Sequence, residues 1–291
     1  MARTGFYGLG LATFGALVLT PDAMLMRLSG MEAVQMLGWR SSLMALVMLG
    51  AWAVTSRAKA ADLRMTFGLG GVAIALCQAV NGTLFTFGIV GSPVTPVLLG
   101  VATVPVLSAI LARLISGERT SRATWATIVA VLIGIAIAIF GKSGGVGFDA
   151  SSLRGALFGL GVALCLSLSF VLIRRFAEVP IPLAVGLGAG LAGTIGLVLT
   201  GSAQSLDGIT VWPIVLTSAV VLPLSFYCLS LASRHTAAAN VSLLLLLETV
   251  LGPLWVWLAI GEAPTPLMLV GGAIVIGSLA LYLLWQRRRA Y

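Results

Sequence analysis

The chain has 291 residues, of which 59% are hydrophobic and only 9% charged, with a mean hydropathy of +1.10; soluble domains carry about 25% charged residues, so a water-soluble globule is excluded. The net charge of +8 comes from short basic clusters between apolar blocks, which points to orientation in a lipid bilayer and away from nucleic acid as a partner. Those blocks recur along the whole chain, so the membrane part is not one anchor on a soluble domain.

Ten runs are long enough to cross about 30 Å of hydrocarbon. The first, near residues 5–26, follows a basic start at Arg3 but no A-x-A-like cleavage site, and reads as an uncleaved helix that Pro21-Asp22 interrupts. The second, 33–56, carries Arg40 a turn or two inside it. There it attracts a substrate carboxylate or the negative end of a neighbouring helix, or else it snorkels or bonds loop carbonyls. In the third, 65–88, Gln78, Asn81 and Phe85 stand at i, i+3 and i+7 on one helix face. Two amides and a ring suit the wall of an amino acid site, although amides also serve as hydrogen bonds between helices.

The fourth run, 93–115, contains Pro96 and Pro105, and the fifth is 122–141. A Gly-rich link follows, from Lys142 to Asp149. The sixth, 153–174, offers Ser167 and Phe170 at i, i+3, and the seventh, 180–201, carries Gly186, Gly188, Gly190 and Gly193, which let helices approach closely. The eighth, 209–233, holds Pro213, Pro223, Tyr227 and Ser230. For Phe170 and Tyr227, lining a cavity and plain packing both remain open. The ninth, 236–260, holds Asn240, Glu248 and Pro253; the tenth is 265–285. Glu248 is the carboxylate nearest the middle of any run, where an ionisable group is costly unless it faces a cavity or a partner. It can hold a substrate ammonium or a coupled proton, or join helices as a paired acid, and Asn240 can complete a polar patch with it. His235 reads as a solvated loop residue, and Cys77, Cys165 and Cys228 as small packing residues. The prolines permit bends.

Assigned alternately, the connections place thirteen Lys and Arg on one side and three on the other, with Arg40 inside a span. By the positive-inside rule both termini are cytoplasmic. Gly8-Leu9-Gly10 recurs as Gly159-Leu160-Gly161 and Gly117-Glu118 as Gly261-Glu262. Two units of five helices, an odd number, must enter the membrane in opposite orientations. The expected fold is therefore all-α and integral to the membrane, ten transmembrane helices as two inverted five-helix repeats. Residues 1–141 form the first repeat, 142–152 the linker, 153–285 the second repeat and 286–291 a basic cytoplasmic tail.

The segment from Ser92-Pro93 to Gly117-Glu118-Arg119, with Pro105 within it and an apolar helix containing Ile133-Gly134 after it, has a second copy from Thr236 through Pro253 to Gly261-Glu262. With the helix count, the duplication and Arg40, it resembles the drug/metabolite transporter superfamily, specifically its EamA-type ten-helix members. Within them the chain looks most like the YddG-type exporters of aromatic amino acids. The resemblance implies a bacterial inner (plasma) membrane transporter that exports a small metabolite by alternating access around a central cavity. The first four helices of each half would line the cavity, and the fifth and tenth would brace it.

The expected substrate is an aromatic or other neutral amino acid. The alternative is a flippase, or an exporter of another metabolite such as a nucleobase or nucleoside, a drug or a lipid-linked sugar. An intramembrane enzyme is disfavoured: the chain has a single histidine, no Walker motif and no second mid-depth acid to pair with Glu248. A scaffold would have no use for inverted duplication. The partners are thus a small-molecule substrate and the lipid bilayer, with no cofactor, no metal and no ATPase subunit, in a chain that can work as a monomer.

Overall fold

The computed structural model describes residues 2–92, 94–140, 150–201, 208–260 and 266–290, and among these every regular element is a helix. That is what lipid requires of an apolar chain, because a helix satisfies its backbone groups within one segment. Among the described residues seven helices are long and apolar enough to cross a membrane: Tyr7–Ser29, Ala33–Thr55, Leu69–Gly91, Leu153–Arg175, Ile181–Thr200, Val211–His235 and Ala238–Ala259. Val104–Ser116, Arg122–Ile137 and Leu269–Trp285 are apolar but shorter. Large apolar side chains stand outward along them, Leu46 and Leu258 being 70% and 73% exposed, as lipid contact allows.

Several of these helices are broken. α1 (Ala2–Leu19) stops at Thr20-Pro21 and α2 (Asp22–Ser29) resumes. α3 is Ala33–Thr55, α4 is Lys59–Thr66 and α5 is Leu69–Gly91. The expected fourth span is two helices, α6 (Val94–Val101) and α7 (Val104–Ser116). Its prolines start helices rather than bend one: Pro96 is the third residue of α6 and Pro105 the second of α7, where a missing N–H costs nothing. α8 is Arg122–Phe140, α9 is Ala150–Arg175 and α10 is Ile181–Thr200.

α11 (Gly208–Leu216) runs through a π-helical turn, Thr217–Val221, into α12 (Leu222–His235). The expected ninth span divides into α13 (Ala238–Leu245) and α14 (Leu247–Ile260), the break falling at Leu246 and not at Pro253. α15 (Pro266–Ala290) continues as a helix through most of the expected tail. The link at 142–149 and the Gly261-Glu262 motif lie outside the described residues.

Helices pair across the two halves of the sequence. α3 packs on α10, α5 on α9, α1 on α12, α7 on α13, and α8 on α15. The α3–α10 contact explains the glycine run: a Cβ on Gly193 would lie 2.7 Å from the backbone nitrogen of Ser42, and one on Gly196 2.7 Å from the Gly38 Cα. Such contacts substitute for a hydrophobic drive that lipid does not supply. Gly117, at φ 68°, ends α7 in the left-handed conformation, and the Glu118 N–H returns to the Ala112 carbonyl at 3.2 Å, so the Gly-Glu pair is a helix terminator.

Candidate functional site

The breaks place charged side chains in the middle of the bundle. Asp22 is the first residue of α2 and Glu248 the second of α14, so each carboxylate sits in the first turn of a helix, where the dipole favours negative charge. Arg40 lies two turns into α3 and donates from Nη2 to Asp22 Oδ2 at 2.6 Å; the pair is buried. The Thr217 hydroxyl, at the start of the π-helical turn, donates to the other Asp22 oxygen. The Arg40 guanidinium stands 5.7 Å above the Phe85 ring.

Asp22, Arg40 and Glu248 line one cavity with Ser41, Gln78, Asn81, Phe85, Phe170 and Phe226. The positions open to the centre of a water molecule fill about 50 Å³, room for a few waters. Its walls come from α1, α2, α3, α5, α6, α9, α10, α12, α13 and α14, and among the described residues none from α8 or α15. Two buried polar atoms there, Arg40 Nε and Asn81 Oδ1, have no hydrogen-bond partner among the described residues. Unsatisfied groups of this kind are expensive unless something else meets them.

Of the residues expected from sequence, Gln78, Asn81, Phe85, Phe170, Glu248 and Arg40 meet at this cavity. Tyr227 does not: it is 40% exposed on the outer face of α12, and its neighbour Phe226 points inward instead. Nor does Asn240. Its amide donates to Thr236 Oγ1 at 3.0 Å and accepts from the Tyr282 hydroxyl at 2.7 Å, and Tyr282 meets Thr124 at 3.1 Å. Asn240 thus belongs to a buried polar chain joining α13, α15 and α8 rather than to a patch with Glu248. Ser167 bonds the Val104 carbonyl at 3.0 Å. His235 is no loop residue: it ends α12, half-buried, its ring edge-on to Tyr7 at 5.3 Å.

Asp22 is the residue that sequence reasoning missed. Pro21-Asp22 registers as a break in the apolar run, whereas the informative feature is a second acid at depth with an arginine in the next span. It brings a carboxylate to the cavity beside Glu248, with both oxygens committed to Arg40 and Thr217.

One end of the bundle, the end with most of the basic residues, is tied shut across the two halves of the sequence. Arg174, near the end of α9, donates to Glu118 at 2.5 Å and to the carbonyls of Thr236 at 2.8 Å and Ser233 at 3.2 Å. Arg175 bonds the Ile115 carbonyl.

Comparison with known proteins agrees with this architecture. A crystal structure of a protein superposes on 97% of this chain and 97% of its own with a TM-score of 0.75, at 19% identity, a likeness of fold. The uncharacterized transporter YdfC of Bacillus subtilis (strain 168) is 27% identical over 201 residues, a match that spans 62% of this chain and 59% of that protein. The sequence model of the EamA-like transporter family matches residues 6–140 and 153–284. With most of its length matched, its apolar helices and its central cavity, this multi-pass membrane protein belongs to the EamA-like transporter family.

Proposed function

We propose that the chain is a secondary transporter that exports a neutral, and in particular an aromatic, amino acid by alternating access between two inverted five-helix halves. The observation that carries the reading is the cavity: both halves line it, and it offers an amide acceptor, a guanidinium donor, a carboxylate and three phenyl rings. An amino acid presents the complement, an ammonium for Glu248 and Asn81 and a carboxylate for Arg40 Nε. An aromatic side chain needs more room than a few waters, and parting the halves supplies it.

Duplication is supported by the two stretches that the family matches. It is supported again by the broken helices: α6 and α13 have eight residues each and begin at Val94 and Ala238, the same separation as between Gly117 and Gly261. With α6 and α7, α13 and α14, and the shorter apolar helices each taken as crossing once or together, ten spans result. Orientation by basic residues puts the tied end in the cytoplasm, which corresponds to a state closed on that side.

The test is uptake into liposomes holding the purified protein, with phenylalanine, tryptophan, threonine and a nucleoside offered with and without a pH gradient. Saturable uptake of the aromatic amino acids, stimulated by the gradient, is expected; no uptake of any amino acid overturns the substrate.

A further inference from the structure

We propose that Asp22 sets the charge preference of the cavity: by cancelling Arg40 it leaves Glu248 as the net charge, so that the site takes zwitterions and monocations and turns away solutes carrying only a carboxylate. The proposal rests on the reading of this cavity as the substrate site and names the device that selects among substrates.

The two oxygens of Asp22 are both engaged, one by Arg40 Nη2 at 2.6 Å and the other by the Thr217 hydroxyl. With Asp22 and Arg40 1% and 6% exposed, the pair is a neutral unit in a medium where a lone guanidinium would demand an anion. Arg40 still has N–H groups for a solute, among them the buried Nε, which nothing among the described residues meets, but its charge is already balanced. Those donors serve a carboxylate that brings its own ammonium; a solute whose only charge is negative finds no net positive charge to offset its desolvation.

Glu248 lines the same cavity, and among the described residues no side chain hydrogen-bonds its carboxyl. The three charges therefore give the cavity one negative charge when Glu248 is ionised and none when it is protonated. In neither state is it positive. Thr217 comes from the π-helical turn between Pro213 and Pro223, so a residue of the second half fixes the acid that masks a cation of the first.

Three probes with the same phenyl ring separate this from a pair that only holds helices together: 3-phenylpropionate, phenylalanine and 2-phenylethylamine, titrated against the purified chain in lipid nanodiscs. Wild type should bind the amine and the zwitterion about tenfold or more tighter than the carboxylate. Asp22→Asn keeps the shape and an acceptor for Thr217 but unmasks Arg40, and should shift the ratio about tenfold or more toward phenylpropionate. Arg40→Gln should shift it toward phenylethylamine, and the double variant, with the pair neutral again, should return to the wild-type ratio within about threefold. If Asp22→Asn does not fold, Arg40→Gln and the double variant carry the comparison.

A ratio unchanged across all folded variants, with only stability altered, overturns the role of Asp22 and leaves the transporter reading intact. Failure of wild type to bind any of the three overturns the amino acid reading, and this inference with it.

Discussion

Glu248 faces the cavity from the first turn of α14, and among the described residues no side chain hydrogen-bonds it, while Asn240, two turns earlier, has both ends of its amide occupied. Their substitution should separate function from stability. Glu248→Gln keeps the size of the side chain and removes its charge and exchangeable proton; amino acid uptake should fall about tenfold or more and lose its response to a pH gradient, with the yield of folded protein unchanged. Wild-type uptake in that variant would show that the acid is structural. Asn240→Ala leaves the Tyr282 hydroxyl and Thr236 without their partner, and should lower stability by about 1–2 kcal/mol in a thermal unfolding assay while leaving ligand affinity within about twofold. Gln78, Asn81 and Phe85 were legible because an unbroken helix keeps its phase over two turns. Tyr227 was not: its spacing with Ser230 puts both toward one side of α12, but spacing does not say which side meets the cavity, and Leu222, Phe226 and Leu229 line it instead. Asn240 shares a span with Glu248, but the break at Leu246 separates the directions in which they face.

Among the elements, the breaks decide most of the geometry. Thr20-Pro21 and Pro105 were visible as prolines, and Gly117 as a helix terminator. The break at Leu246 follows no proline or glycine, and Leu246 and Thr249 close it with bonds to the carbonyls three residues back; only the counterpart between α6 and α7 points to it. The Gly-Glu motif illustrates how a local signal acquires a distant role. Gly117 turns the chain, and Glu118 then meets Arg174 from the other half. This pair is about one-third exposed, so its ionic part is modest, but Arg174 also holds the carbonyls of Ser233, in the last turn of α12, and of Thr236, just after it. Arg174→Ala should loosen this end and raise the labelling rate of buried Cys228 by a membrane-permeant maleimide about threefold or more, in a chain lacking Cys77 and Cys165. An unchanged rate would mean that apolar packing, not Arg174, keeps the end shut.

At the scale of the whole molecule, hydropathy and charge asymmetry were enough to foresee an all-helical membrane protein. Beyond the interruption at Pro21-Asp22 they did not locate the breaks in the expected fourth and ninth spans, since a window of about 20 residues averages over one interrupted residue. The expected bracing helices correspond to α8 and α15, which pack on each other and are joined by the Tyr282–Thr124 contact, away from the cavity. Ten of the remaining helices line the cavity, and the central claim is that a solute crosses by way of it as the two halves part. The direct measurement is counterflow of labelled phenylalanine in liposomes, using a chain freed of Cys77, Cys165 and Cys228 that carries Glu118→Cys and Arg174→Cys. Joining the two new thiols with a short, reductively cleavable linker should stop counterflow by about tenfold or more and cleavage should restore it; a linked protein that exchanges phenylalanine as fast as the unlinked one would contradict alternating access between these halves.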